Sequence, residues 1–128
     1  PKIDIISVHL DFSRQSIRDK QITELTELLS ARNNPTIIMC DFNSEWLAEA
    51  SVIRELATDA HFLTHEPDAD GYKTYKDKRL DWILITKDME FVNYQVLPDT
   101  LSDHAMVVAD ICFKAITCAA AKSPDPQK

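Results

Sequence analysis

Apolar positions recur along the chain with two distinct periods. From Ile3 to Leu10 they occupy both faces of an extended run, which predicts a buried strand. From Ser13 or Gln15 to about Arg32, Ile17, Gln21, Leu25, Leu28 and Leu29 fall at helical spacing. Asn33-Asn34-Pro35 ends that run, and Thr36 to Cys40 follows as a short apolar strand. A strand, a helix and a strand in this order predict a parallel pair joined by a right-handed crossover. Trp46 to Ala57 reads as a second helix with Ser44 as its cap. The stretch from His61 to Lys78 is polar and punctuated by Pro67 and Gly71, so it reads as a loop. Arg79 to Thr86 and Glu90 to Leu97 read as strands, with Lys87-Asp88 between them predicting a hairpin. Ala105 to Phe113 is the last strand. Residues 1–113 thus form the folded unit. The remaining 114–128 form a tail, rich in Ala, Lys, Ser and Pro from Ala119 onward, for which disorder is expected.

Composition adds limits rather than identity. With 128 residues, 45% of them apolar and 27% charged, the chain suits one globular domain. The net charge of −7 reads first as good solubility; it also argues mildly against a broad polynucleotide-binding face, which is usually basic, and is compatible with a small phosphate ester or with carboxylates neutralised by metal. Cys40, Cys112 and Cys118 fit neither a zinc site nor a redox motif; Cys40 and Cys112 end apolar runs and read as buried small hydrophobes. With Gly71 as the single glycine, turns must rely on Asn, Asp and Pro. There is no membrane-length apolar segment. The chain opens at Pro1 almost directly into a strand, so sequence upstream is expected and the compartment is left open.

The chemistry sits where polar residues interrupt or border these strands. His9 and Asp41 end two parallel strands, Asp81 begins a strand, and Asp103 and His104 begin the last one. If the hairpin returns antiparallel to the first pair, one mixed sheet gathers all five at one rim. Asp carboxylates and an Asn carbonyl are hard oxygen ligands suited to Mg²⁺ or Mn²⁺. A His beside an Asp is held in orientation and favoured in its charged form, ready to bind or protonate a phosphate oxygen. Each residue alone is more often a turn or a cap; their order and joint placement carry the reading.

The motifs resemble those of the endonuclease/exonuclease/phosphatase superfamily, the deoxyribonuclease-I-like metal-dependent hydrolases. Cys40-Asp41-Phe42-Asn43 resembles the family's Gly-Asp-x-Asn signature, and Arg79-Leu80-Asp81-Trp82 its Arg-(Leu/Ile)-Asp-aromatic strand. Ser102-Asp103-His104 with the following Ala105-Met106-Val107 resembles its terminal strand, and Val8-His9-Leu10 the Thr-His-Leu opening of its second half. Arg18 and Gln21 match an Arg-x-x-Gln pattern of its bacterial hydrolases, and Thr74-Tyr75 a Thr-aromatic pair at the substrate mouth. The resemblance runs from about Ile3 to Ile111.

It implies an α/β (α+β) fold: half of a four-layer α/β sandwich, with one mixed β-sheet and helices on one face. It implies a divalent-metal-dependent phosphoesterase that hydrolyses a phosphodiester or phosphomonoester with activated water. The substrate class spans nucleic acid, phospholipid and small diesters. The implied catalytic residues are His9, Asp41, Asn43, Asp81 and His104, and the implied metal residues are Asp41, Asn43 and Asp103, holding Mg²⁺ or Mn²⁺. Asp41 positions or deprotonates water, Asn43 orients it or the phosphate, Asp81 holds His104, and His9 contacts the scissile phosphate.

Two departures stand beside the match. Cys40 replaces the motif's glycine, placing a thiol next to the site. The family's N-terminal half, with its first sheet and principal metal-binding Glu, is absent from these 128 residues. An exposed sheet face is therefore expected, covered by that missing half or by self-association. The alternative reading is a non-catalytic binding or assembly domain on a decayed hydrolase scaffold, favoured by Cys40 and the missing Glu and opposed by the intact Asp41, Asn43, Asp81, Asp103 and His104. Trp82 reads as core, and His61, His65, Asp68 and Asp70 as solvated loop residues. Lys73, Lys76, Lys78 and Arg79 form a small basic cluster near the site, read first as a solvated face.

Overall fold

The structure is a computed structural model, described for residues 2–11, 13–98 and 101–115. Its elements run β1 (Asp4–His9), α1 (Gln15–Ser30), β2 (Thr36–Asp41), α2 (Val52–Asp59), β3 (Phe62–Leu63), β4 (Asp81–Thr86), β5 (Met89–Leu97) and β6 (Met106–Phe113). The first four strands of the site region form one mixed sheet in the order β1-β2-β4-β3, with β1 parallel to β2 and β2 antiparallel to β4. The fold is a mixed α/β arrangement, as the strand–helix–strand pattern and the later antiparallel strands imply.

The expected hairpin between the Arg79–Thr86 and Glu90–Leu97 runs does not form. β5 turns away from β4 and pairs with β6 as a separate two-stranded sheet, bulged between Phe91 and Asn93. The reason is burial: β4 is apolar on both faces and nearly inaccessible along its length. It fills the sheet centre between β2 and β3, and the β5–β6 ribbon packs across it instead of extending it.

Alternation along the strands sorts side chains between two cores. Ile38, Cys40, Trp82 and Leu84 face α1 and α2, meeting Ile22, Leu29, Val52, Ile53 and Leu56. Both helices therefore lie on this face. Ile83 and Ile85 point the other way, against Met89, Tyr94, Val107 and Ile111 of the ribbon. The ribbon covers β4 but not β1. Ile5 on β1 is 65% exposed and Met39 on β2 is 41% exposed. β1 is thus buried on one face only, contrary to the expectation from its doubly apolar sequence.

The helix boundaries shift for identifiable reasons. Asp11 Oδ1 accepts from the backbone N–H groups of Ser13 and Arg14, so the polar start of α1 is organised from outside the helix. Ile22 and Leu29 form its buried face, while Leu28 is turned outward. α2 begins at Val52 rather than Trp46, because Ser51 caps the Arg54 N–H. Ser44 still serves that terminus: its hydroxyl accepts from the Val52 N–H at 3.2 Å. Trp46 lies in the preceding turns and packs against Trp82, which is core as expected. Cys112 is disulfide-bonded, so the reading of an inert buried thiol applies to Cys40 alone. Most of the tail expected to be disordered, 116–128, lies outside the described residues. Among the described residues no helix is long and apolar enough to cross a membrane.

Candidate active site

Strand parity builds the site. The pairing places His9 opposite Asp41 and Asp41 opposite Asp81, so the three residues form a row across β1, β2 and β4. Residues two apart share a face, so this row continues Ile5, Met39 and Ile83 on the face away from the helices. His9 Nε2 lies 3.4 Å from Asp41 Oδ2, with the His9 side chain largely exposed. Asp41 ends its strand in a turn: its Oδ1 accepts from the Asn43 N–H at 2.9 Å. Asn43 adopts a left-handed φ of 46°, which Asn tolerates better than most residues. Its amide nitrogen donates to the Leu10 carbonyl at 2.9 Å, tying the ends of β1 and β2 together and leaving its carbonyl oxygen as the group it can offer.

His104 closes over this row from the segment just before β6. Its Nδ1 lies 2.6 Å from Asp81 Oδ2, and its Nε2 lies 3.8 Å from Asp41 Oδ2. The Tyr75 ring lies against the imidazole, 4.9 Å between centroids. The His104 N–H donates to the Ser102 hydroxyl, which itself donates to Asp103 Oδ1. Beside this group runs an open groove of about 280 Å³, lined by Ser7, Met39, Asp41, Asp81, Ile83 and Val107 among others.

Partial burial works against the imidazolium of His104, but the hydrogen bond to Asp81 and the charges of Asp81, Asp41 and Asp103 outweigh it. The net effect raises its pKa above the ordinary histidine value of 6.5. Asp81 thus orients the ring through Nδ1, and Nε2 is the atom presented toward Asp41.

Asp41, Asp81 and His104 are a group that could hold a metal ion, with one ligand atom of each lying within 4.8 Å of the others. Carboxylate oxygens fit a hard divalent cation in kind. They fall short in number, since Mg²⁺ favours six ligands, and Asp81 is already engaged by His104. Of the residues expected at a metal, Asp41 belongs to this group and Asn43 lies beside it. Asp103 is exposed and does not join the trio, although its charge reaches His104. Of the five polar residues expected at a single rim of one sheet, His9, Asp41 and Asp81 share the four-stranded sheet, His104 reaches them from the segment before β6, and Asp103 stays apart.

Cys40 does not narrow the site. It precedes Asp41 on β2 and so points to the opposite face, into the helix-side core, where burial pushes its thiol well above the usual range. Other loop readings change as well. Arg79 is only 6% exposed and packs among Tyr72, Trp82 and Tyr94, so it is no part of a solvated basic face. His65 stacks on Tyr94 and contacts the Tyr72 hydroxyl at 2.9 Å. His61, Asp68 and Asp70 are exposed as expected. Ser102 is a contributor that the residue pattern did not single out by role; its place two before His104 was the available signal.

A mixed sheet with helices on one face, and an Asp–Asp–His group at the strand ends of the other, defines the class: a mixed α/β fold with a site of metal-ligand character. Residues 4–104 match the model of the Endonuclease/Exonuclease/phosphatase family, and the chain belongs to that family. Solved structures share its fold at low identity. The human Nocturnin catalytic domain with bound sulfate has a TM-score of 0.67 at 20% identity, over 86% of this chain and 47% of that one. A Bacteroides thetaiotaomicron mannosyl-6-phosphatase has 0.68 at 19%, over 85% and 51%. A functionally unknown conserved protein from Enterococcus faecalis has 0.69 at 22%, over 86% and 50%. The chain therefore spans about half the length of the solved structures it matches. A comparison with curated protein sequences gives no match.

Proposed function

We propose that this chain carries the water-activating half of a divalent-metal-dependent phosphoesterase site, hydrolysing a phosphodiester or phosphomonoester. The observation that carries the reading is the His9–Asp41–Asp81 row with His104 closed over it at 2.6 Å from Asp81, in a chain of this family. Asp41 accepts the proton of the attacking water or positions it, and the Asn43 carbonyl orients that water or the phosphate. Asp81 holds His104 so that Nε2 can donate to a phosphate oxygen. His9, exposed at the row's end, contacts the scissile group.

Asp41 and Asn43 are the residues that would hold Mg²⁺ or Mn²⁺, with Asp103 as the expected further carboxylate. A bound divalent cation supplies charge neutralisation at the phosphate and lowers the pKa of adjacent water. The net charge of −7 favours a small phosphate ester over a long nucleic acid, with a phospholipid headgroup between them. The open face around Ile5 and Met39 is where the remainder of a full-length family domain, or a second copy, would pack. The Cys40 thiol faces the helix-side core rather than the site, so the non-catalytic alternative rests on the missing Glu.

The test is hydrolysis of bis-p-nitrophenyl phosphate with Mn²⁺ or Mg²⁺, beside the His104→Ala variant. Metal-dependent turnover that is lost in the variant is expected. Turnover that is equal in both proteins would sink the assignment of His104.

A further inference from the structure

The site is assembled across a seam. Asp81 belongs to the four-stranded sheet and His104 precedes the two-stranded one, and β4 does not pair with either strand of the ribbon. Their side chains nevertheless meet at 2.6 Å. Tyr75 gives His104 a tilted ring contact, but a contact between side chains does not fix a main chain.

Thr74 does. Its hydroxyl oxygen accepts from the backbone N–H groups of Leu80, at 3.1 Å, and Asp81, at 3.2 Å. Its carbonyl accepts from the Ala105 N–H at 2.7 Å, and its own N–H donates to the Lys78 carbonyl at 2.9 Å. Thr74 is 4% exposed, so these bonds are made away from competing water. One residue therefore ties the start of β4 to the residue directly after His104. The tight turn that carries it is closed by the Tyr75–Lys78 bridge, with Lys76 at a left-handed φ of 52°.

We propose that Thr74 is the positioning residue that sets the Asp81–His104 geometry across the two sheets. The proposal rests on the phosphoesterase reading for its functional meaning, but its structural content can be tested without turnover. A β-hydroxyl is the required chemistry. Valine has the same shape but offers no acceptor, and it leaves two buried N–H groups without a partner. Serine keeps the acceptor and should keep the geometry.

The experiment is NMR of the chain with ¹⁵N-labelled histidine, following the His104 Nδ1 proton in its bond to Asp81, assigned by its absence in His104→Gln. In Thr74→Val this downfield signal is expected to vanish or move upfield, and in Thr74→Ser it is expected to stay. Thr36→Val is the control, because Thr36 is equally buried, bonds the Asn34 carbonyl, and lies at the far end of the sheet. A signal unchanged in Thr74→Val would overturn the proposal. Loss in both Thr74→Val and Thr36→Val would also overturn it, because the signal would then report general loosening.

Should Thr74→Val not fold, amide exchange in the unsubstituted chain decides. The N–H groups of Leu80, Asp81 and Ala105 should open together; an unprotected Ala105 beside a protected Asp81 would refute the tie. Where turnover is measurable, Thr74→Val should lower kcat on the order of a hundredfold with KM little changed. An inactive unsubstituted chain with the NMR pattern intact would defeat the activity reading and leave the positioning role standing.

Discussion

The two faces of the four-stranded sheet have opposite characters. Toward the helices, Ile38, Cys40, Trp82 and Leu84 are sealed beneath α1 and α2, and the buried Arg79 guanidinium lies 4.0 Å over the Trp82 ring at the margin of that cluster. On the other face the ribbon covers β4, leaves Ile5 and Met39 open, and the strand-end row is polar. The same strands thus supply stability on one side and chemistry on the other. The difference teaches that a site can sit on a rigid support while its own surroundings stay accessible.

The contrast can be broken most strongly from the sealed side. Leu84→Ala, at a position with no exposure, should cost about 2–5 kcal/mol, read as a fall in the urea midpoint with an unchanged slope. Ser51→Ala, which removes the cap of α2, should cost about 1 kcal/mol in the same measurement.

On the site face, Asp81→Asn should lower the His104 pKa, followed by imidazole shifts across pH. The sign follows from linkage: the raised folded pKa means that the stability from this pair is complete below about 6.5 and is lost as pH rises through the folded value. In Asp81→Asn that dependence should flatten; an unchanged profile would show that Asp81 is not the cause. The smallest effect belongs to the open face. Ile5→Ser should change stability by no more than about 0.5 kcal/mol, while reducing any self-association seen by light scattering. A large loss of stability there would mean that the face is covered.

Much of this was legible in the sequence, for reasons that particular residues show. Asp41 and Asp81 stand where apolar alternation stops, so strand ends and polar chemistry announce themselves together. Trp82, flanked by Leu80 and Leu84, declared a core position. The separate β5–β6 ribbon was not legible, because periodicity gives a strand its faces but never its partner. The role of Thr74 was hidden for a related reason: its bonds go to backbone groups of Leu80, Asp81 and Ala105, and backbone groups leave no mark in a sequence. The helix-side position of Cys40 could have been read from parity, one residue before Asp41, since neighbours on a strand point to opposite sides.

That parity also guards the folding of the chain. A slip of β2 by one residue would exchange the two neighbours, turning the carboxylate of Asp41 into the greasy interior beneath the helices and the thiol of Cys40 out to water. An unpaired carboxylate in such a place must give up its charge or the structure must open, and either is costly. Asp41 therefore penalises mispaired chains before any substrate arrives. Replacing it with a residue indifferent to water should yield a protein that reaches its native pairing less faithfully, even where the final fold is the same.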